Sequence, residues 1–197
     1  IGERTAYSVE GRPTDALLLG LYALHLKPDL VVSGINLGEN ISYESITTSG
    51  TVGAAMEAAN QGFPALAYSL QMNDQGNKFI DPRCHRGDFS QAKEVVGKLT
   101  RMFLSTGLPK GCHLVNINIP ACGIEGYEVT TLGTRLFDTY VEQRIDPRGK
   151  PYYWINGDVI YIPEPNSDVT ALRNNRVSVT PLTLDNTAFA TCGKLKK

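Results

Sequence analysis

The sequence predicts an α/β fold organised around a parallel sheet, and three observations carry that prediction. Two short apolar runs, residues 30–33 and 65–70, are bracketed by glycine and proline in the way buried parallel strands are. Between them lie a polar loop and an alanine-rich helix opening at Ser49-Gly50-Thr51, so the segment reads as a strand–helix–strand crossover. After Pro120 the pattern changes to strand-like stretches separated by turn residues. The expected organisation is therefore a core over residues 1–120 and a C-terminal part over 121–197, the latter holding a hairpin at about 139–162, a returning strand at 177–182 and a tail.

Taken in order, Ala6-Tyr7-Ser8-Val9 reads as the tail of a strand. Thr14 is a candidate N-cap for a helix over roughly 15–26, where Leu17, Leu18, Leu21 and Leu24 fall at helical spacing. Lys27-Pro28-Asp29 ends it, and after the strand at 30–33 Gly34 permits a sharp turn. The loop at 36–48 is polar and long enough to face a ligand. A helix follows over about 51–60, stopped by Gln61-Gly62-Phe63-Pro64, and then the buried strand at 65–70. After a polar loop at 71–88, an amphipathic helix covers about 89–105. Residues 114–120 alternate so that Asn116 and Asn118 share one face; Asn116 either faces the site or caps neighbouring backbone. Beyond it come a strand at 127–131, the hairpin around Asp146-Pro147-Arg148-Gly149, a helical turn at 168–172 and the strand at 177–182.

Bulk properties narrow the function classes. With 197 residues the chain suits one large domain or a domain with an arm, and a hydrophobic share of 42% fills an ordinary core. Nineteen basic residues against 20 acidic ones leave a net charge of -1, so no overall field attracts nucleic acid or a membrane. The local basic cluster of Arg135, Arg144, Arg148 and Lys150 is interleaved with Asp138, Glu142 and Asp146, as on a solvated hairpin face. Cys84, Cys112, Cys122 and Cys192 form no CxxC pair, and with His25, His85 and His113 they complete no zinc pattern. No apolar stretch approaches the roughly 20 residues of a membrane span, and no signal-peptide pattern opens the chain. The expectation is a cytoplasmic protein with reduced thiols and neither a nucleic-acid nor a membrane partner.

In open α/β sheets ligands bind beyond the carboxyl ends of the strands, which is where Asn36, Asn40, Ser49 and Thr51 should lie. The start of a helix offers unpaired N–H groups and the positive end of a dipole, and both attract a phosphate. Gly50 would let such an anion approach the backbone. The bland alternative is that Ser49 is only an N-cap and Asn36 only a turn residue.

Several motifs stand in order along the chain: Ser33-Gly34-Ile35-Asn36 with Gly38 and Asn40, then Ser49-Gly50-Thr51-Val52-Gly53-Ala54-Ala55-Met56-Glu57, then Asn116-Ile117-Asn118-Ile119-Pro120. The stretch from Tyr140 and Arg144 through Asp146-Pro147 and Gly149 to Tyr152-Tyr153-Trp154 follows, and then Val177–Leu182. Together they resemble the survival protein E (SurE) family of metal-dependent nucleotidases. The resemblance implies a Rossmann-like three-layer core with a projecting hairpin and a C-terminal segment used in dimerisation. It also implies hydrolysis of nucleoside 5′- and 3′-monophosphates, and of short polyphosphate. By the same resemblance Asn36 would ligate Mg2+ or Mn2+, and Asn40, Ser49, Gly50 and Thr51 would hold phosphate. Protomers would pair as a homodimer or tetramer.

The sequence departs from the family pattern in one large respect. The family's paired aspartates after its first strand, and the serine after its second, have no counterpart here. The expectation is that the family's first strand, helix and second strand precede Ile1, and the catalytic groups are thus unknown from these residues. Ser42 stands at a usual glycine and Thr48 at a usual tyrosine. Glu57 follows the phosphate turn too closely to be a base without repelling the anion, and is read as structural. The rival is an oligomeric binding protein that keeps the phosphate pocket but not the chemistry. A dinucleotide oxidoreductase is disfavoured because no GxGxxG follows a strand.

Overall fold

A computed structural model describes residues 5–72, 89–121, 123–134, 137–160 and 162–192. Its first helix, α1 (Pro13–Leu18), starts earlier than the leucine spacing predicts. Pro13 occupies the first helical position, Asp15 Oδ2 accepts the Arg12 N–H at 2.7 Å, and Thr14 is inside the helix rather than capping it. The same rod then widens into a π-helical turn over Leu19–Ala23. The expected strand around Ala6 does not form; residues 5–9 are irregular and mostly exposed.

The central crossover is as predicted. Strand β1 (Val31–Leu37), helix α3 (Gly50–Asn60) and strand β2 (Ala65–Leu70) form a parallel βαβ unit, and β3 (Leu114–Ile119) adds a third parallel strand after helix α4 (Ser90–Thr106). Strand β7 (Arg176–Leu182) pairs antiparallel to β3, and the short β4 (Gly126–Val129) lies parallel to β7 at the far edge. The sheet order is β1-β2-β3-β7-β4. Two apolar layers hold it. On one face Leu66, Tyr68, Val115, Ile117 and Val177 pack under Val95, Leu99 and Phe103 of α4. On the other, Val52, Ala55 and Ala58 of α3 cover Ala65, Ala67 and Leu114. The alanines let α3 lie close to the sheet, which is why that helix is alanine-rich. Tyr68 is fully buried with its hydroxyl 3.0 Å from Thr100 Oγ1, and burial pushes its pKa up to about 12.

The hairpin is present as β5 (Phe137–Ile145) and β6 (Pro151–Val159) in one unbroken antiparallel register. Asp146 closes its turn by accepting the N–H groups of Arg148 and Lys150, each at 2.8 Å, while Glu142 takes Arg144 Nε at 2.9 Å. The mixed charges there serve the turn and each other. Three aromatics in a row along a strand point to alternating faces, so one face would be expected to pack inward; instead Tyr152, Tyr153 and Trp154 are all exposed. Helix α5 (Asp168–Arg173) packs beside β7, and a last short helix, α6 (Phe189–Cys192), was not foreseen. The expected loop at 71–88, with Cys84 and His85, falls largely outside the described residues, as does the lysine-bearing tail.

Among the described residues no helix is long and apolar enough to cross a membrane.

Candidate active site

Asn36 lies inside β1 rather than in the loop after it. The register of β1 against β2 slips between Ser33 and Asn36, and this bulge carries Gly34 at a φ of +116°. A Cβ at Gly34 would stand 2.3 Å from the Tyr68 carbonyl oxygen, so only glycine fits. Asn36 emerges half-buried at the carboxyl edge of the sheet. Its Nδ2 donates to Gly38 O at 2.7 Å, which fixes the amide plane and leaves Oδ1 accepting from no described residue. A neutral amide oxygen held this way is a donor of the type a hard divalent cation takes. The described residues contain no cluster of three or more His, Cys, Asp and Glu side chains, so they fit such an ion with this one ligand.

The loop after β1 turns back over the sheet and contains a short helix, α2 (Ser42–Ile46), that the polar sequence did not announce. Asn40 is almost fully buried. Its N–H donates to Asn118 Oδ1 at 2.8 Å, and its carbonyl accepts from Asn116 Nδ2 at 2.8 Å and Asn118 Nδ2 at 3.1 Å. Its own Nδ2 donates to Ser69 Oγ at 2.7 Å. Asn116 therefore caps backbone, and the backbone belongs to the candidate site itself.

Two residues further on, the fully buried Asp168 carboxylate accepts the N–H groups of Ser42 at 2.9 Å and of Gly133 and Val169 at 2.8 Å each. Burial pushes its pKa up, and those three backbone donors offset the shift only in part. A folded-state pKa above the unfolded value of about 3.9 means that the native state holds a proton the unfolded state has lost. This group's contribution to stability therefore falls as pH rises from about 4 through the folded pKa, and is flat beyond it. In Asp168→Asn that decline is expected to vanish. At neutral pH the variant should still be less stable by about 1–3 kcal/mol, because the new NH2 meets a backbone N–H and leaves it unpaired. Unfolding free energy measured against pH for both proteins checks both signs.

Ser42, at the position where the family's pattern has glycine, adopts a φ of +65°, and its fully buried hydroxyl has no described partner. Strain and an unsatisfied hydroxyl coincide at one residue. Ser42→Gly is expected to stabilise the fold by about 1 kcal/mol, relief of both outweighing the entropy glycine loses on folding. Urea denaturation checks it.

Ser49 caps α3, as the alternative reading of that residue had it, its Oγ accepting the Val52 N–H at 3.1 Å. The N–H groups of Gly50 and Thr51 find no acceptor among the described residues, and the first turn of α3 holds no acidic side chain. The positive end of the helix is therefore open to an anion. Gly50 has a packing reason as well, since a Cβ there would lie 3.3 Å from two ring carbons of Pro13. Glu57 sits toward the carboxyl end of α3, not close to the phosphate turn as expected, and its carboxylate accepts from Gln61 Nε2 at 2.6 Å and Asn60 Nδ2 at 3.3 Å, so these helix-end bonds, rather than repulsion of an anion, give it a structural role. Ser49 also lines a cleft of about 650 Å³ bounded by Tyr43, Thr131, Thr180 and Asn186.

Residues 1–139 match the family model described as survival protein SurE. A protein named 5′-nucleotidase SurE from Methanocorpusculum labreanum is 76% identical over 192 residues, covering 98% of this chain and 73% of that protein. One of the same name from Methanoculleus marisnigri is 56% identical over the same shares. The crystal structure of the SurE protein from Aquifex aeolicus superposes with a TM-score of 0.76 at 36% identity, covering 95% of this chain and 73% of that one.

Proposed function

The chain belongs to the survival protein SurE family, and from that premise we propose the reaction it performs and the residues that carry it. It is a nucleotidase, a hydrolase of phosphomonoesters. The substrates are nucleoside 5′- and 3′-monophosphates, with short polyphosphate as a further substrate. The high identity to relatives named as enzymes weighs against a non-catalytic binding protein.

The observation that carries the reading is the arrangement at the carboxyl edge of the sheet. One βαβ unit brings Asn36, with an uncommitted amide oxygen, and the open amino end of α3 to the same edge. Phosphate oxygens would be held by the N–H groups of Gly50 and Thr51 and the hydroxyls of Ser49 and Thr51. Ser49 accepts the capping bond and so keeps its own proton to donate. Asn40 would donate its second Nδ2 hydrogen. Donors fixed before the substrate arrives stabilise the charge that develops on the transferring phosphoryl group without reorganisation. Asn36 would hold the divalent ion, Mg2+ or Mn2+, which supplies charge neutralisation and a positioned water when bound. The nucleoside would occupy the cleft beside Ser49.

The exposed hairpin, with Val141, Ile145, Tyr153 and Ile155 largely open to solvent, supports self-association as a homodimer or tetramer. A cytoplasmic setting fits the free thiol of Cys112. Phosphate release from a nucleoside monophosphate, with Mn2+ and then with excess EDTA, tests the reading. Release that EDTA abolishes is expected; release untouched by EDTA, or none from any nucleoside monophosphate, would refute it.

A further inference from the structure

We propose that Ser69, Asn116 and Asn118 are positioning residues for this reaction, clamping Asn40 over the carboxyl edge of the sheet so that the substrate-facing loop is set before substrate binds. The proposal rests on the nucleotidase reading above. Its basis is a row of polar side chains that crosses four strands. Asn36 of β1 is registered with Ser69 of β2, Ser69 with Asn118 of β3, and Asn118 with Ser178 of β7. Laterally paired residues share a face of a sheet, so the candidate metal ligand Asn36 and the clamp residues stand side by side.

Asn40 lies across this row, and side chains satisfy both of its backbone groups. Asn118 makes two opposed bonds to it, accepting the N–H at 2.8 Å and donating to the carbonyl at 3.1 Å, while Asn116 donates to the same carbonyl at 2.8 Å. Ser69 takes the Asn40 side chain at 2.7 Å, which makes Ser69 the shared neighbour of Asn36 and Asn40. Ser69, Asn116 and Asn118 are each fully buried. The opposite face of β3 is purely aliphatic, with Val115, Ile117 and Ile119 in the core. Amides replace aliphatics only on the face that Asn40 covers.

Burying two asparagines is a weak way to hold an ordinary loop. Each buried amide must have its donors and acceptors matched or cost stability, and Asn116 Oδ1 is in fact left without a described partner. What the arrangement gives is orientation. With three bonds on its main chain and one on its amide, Asn40 cannot swing away from Asn36. The bond to Ser69 uses one Nδ2 hydrogen and leaves the second to meet phosphate. A displacement of about 1 Å at such a group costs on the order of 100-fold in rate.

The test uses the intact protein, and two variants separate positioning from folding. Asn118→Ala removes both opposed bonds; Ser69→Ala removes only the bond to the Asn40 side chain and leaves the main-chain clamp. In metal-free protein, Asn118→Ala should speed exchange of the Asn40 amide hydrogen by about 100-fold while the amides of β2 and β3 stay protected. With Mn2+ and a nucleoside monophosphate, kcat should fall about 10- to 100-fold in Asn118→Ala and about 3- to 10-fold in Ser69→Ala, with KM changed less than about threefold in both. Should Asn118→Ala not fold, Ser69→Ala decides by its kcat. The proposal is overturned if the folded variants keep wild-type kcat, or if lost activity merely follows the unfolded fraction and returns on cooling. Wild-type protein that releases no phosphate would instead refute the nucleotidase reading itself.

Discussion

Asn36→Ala is expected to lower metal-dependent phosphate release by about 100- to 1000-fold, the scale lost when one preorganised electrostatic contact is removed from a phosphoryl-transfer site. The fold should barely notice. Asn36 is half-buried, and its described hydrogen bond is a local one to Gly38 O, so the stability loss should stay below about 1 kcal/mol. The loss should fall on metal affinity as well as rate, since the alanine offers no oxygen. Mn2+ titration followed by electron paramagnetic resonance, alongside kcat/KM and thermal unfolding, separates these contributions. Weakened Mn2+ binding with an unchanged melting temperature is the expected pair of results. Unchanged Mn2+ binding would place the ion elsewhere.

Gly34→Ala, two residues away, should do the opposite and damage the fold first. Its Cβ would stand 2.3 Å from a backbone oxygen of β2, and neither strand can withdraw without breaking the β1–β2 ladder. A φ of +116° adds conformational strain for any side chain. Together these should cost about 3–5 kcal/mol, a large part of a domain's usual margin. The expected observation is loss of soluble folded protein, or a melting temperature lowered by roughly 10 °C or more. Activity would disappear with it, because the bulge is what presents Asn36 at the sheet edge.

The contrast between these neighbours shows what was legible in the sequence. The βαβ core was readable because its signals are local: apolar runs of strand length, an N-cap serine, alanines on a packed helix and a Gly-Phe-Pro stop. Strand β2 occupies the predicted residues, and α3 starts within one residue of its predicted start. Asn36 was found through its motif, yet its place inside β1 was not, because a bulge is set by pairing with another strand. Helix α2 has only five residues, Ser42–Ile46, too few to show a periodicity. Asp168 read as the first residue of a helical turn; the backbone donors it serves at Ser42 and Gly133 lie 126 and 35 residues away. Asn116 and Asn118 left a visible trace in their alternation, but what they grip, Asn40, lies 76 and 78 residues back in the chain. Alternation along β6 implies a core-facing side for its aromatic run, but β5 and β6 form a sheet of their own and Tyr152, Tyr153 and Trp154 all stay exposed, which local sequence does not show.

The site itself is tested most directly by a crystal structure of the protein grown with Mn2+ and inorganic phosphate, using anomalous scattering to locate the metal. The expected map has an anomalous peak within bonding distance of Asn36 Oδ1 and a phosphate within hydrogen-bonding distance of the Gly50 and Thr51 N–H groups. A metal bound away from Asn36, or a phosphate bound away from the amino end of α3 with that end empty, would contradict the account.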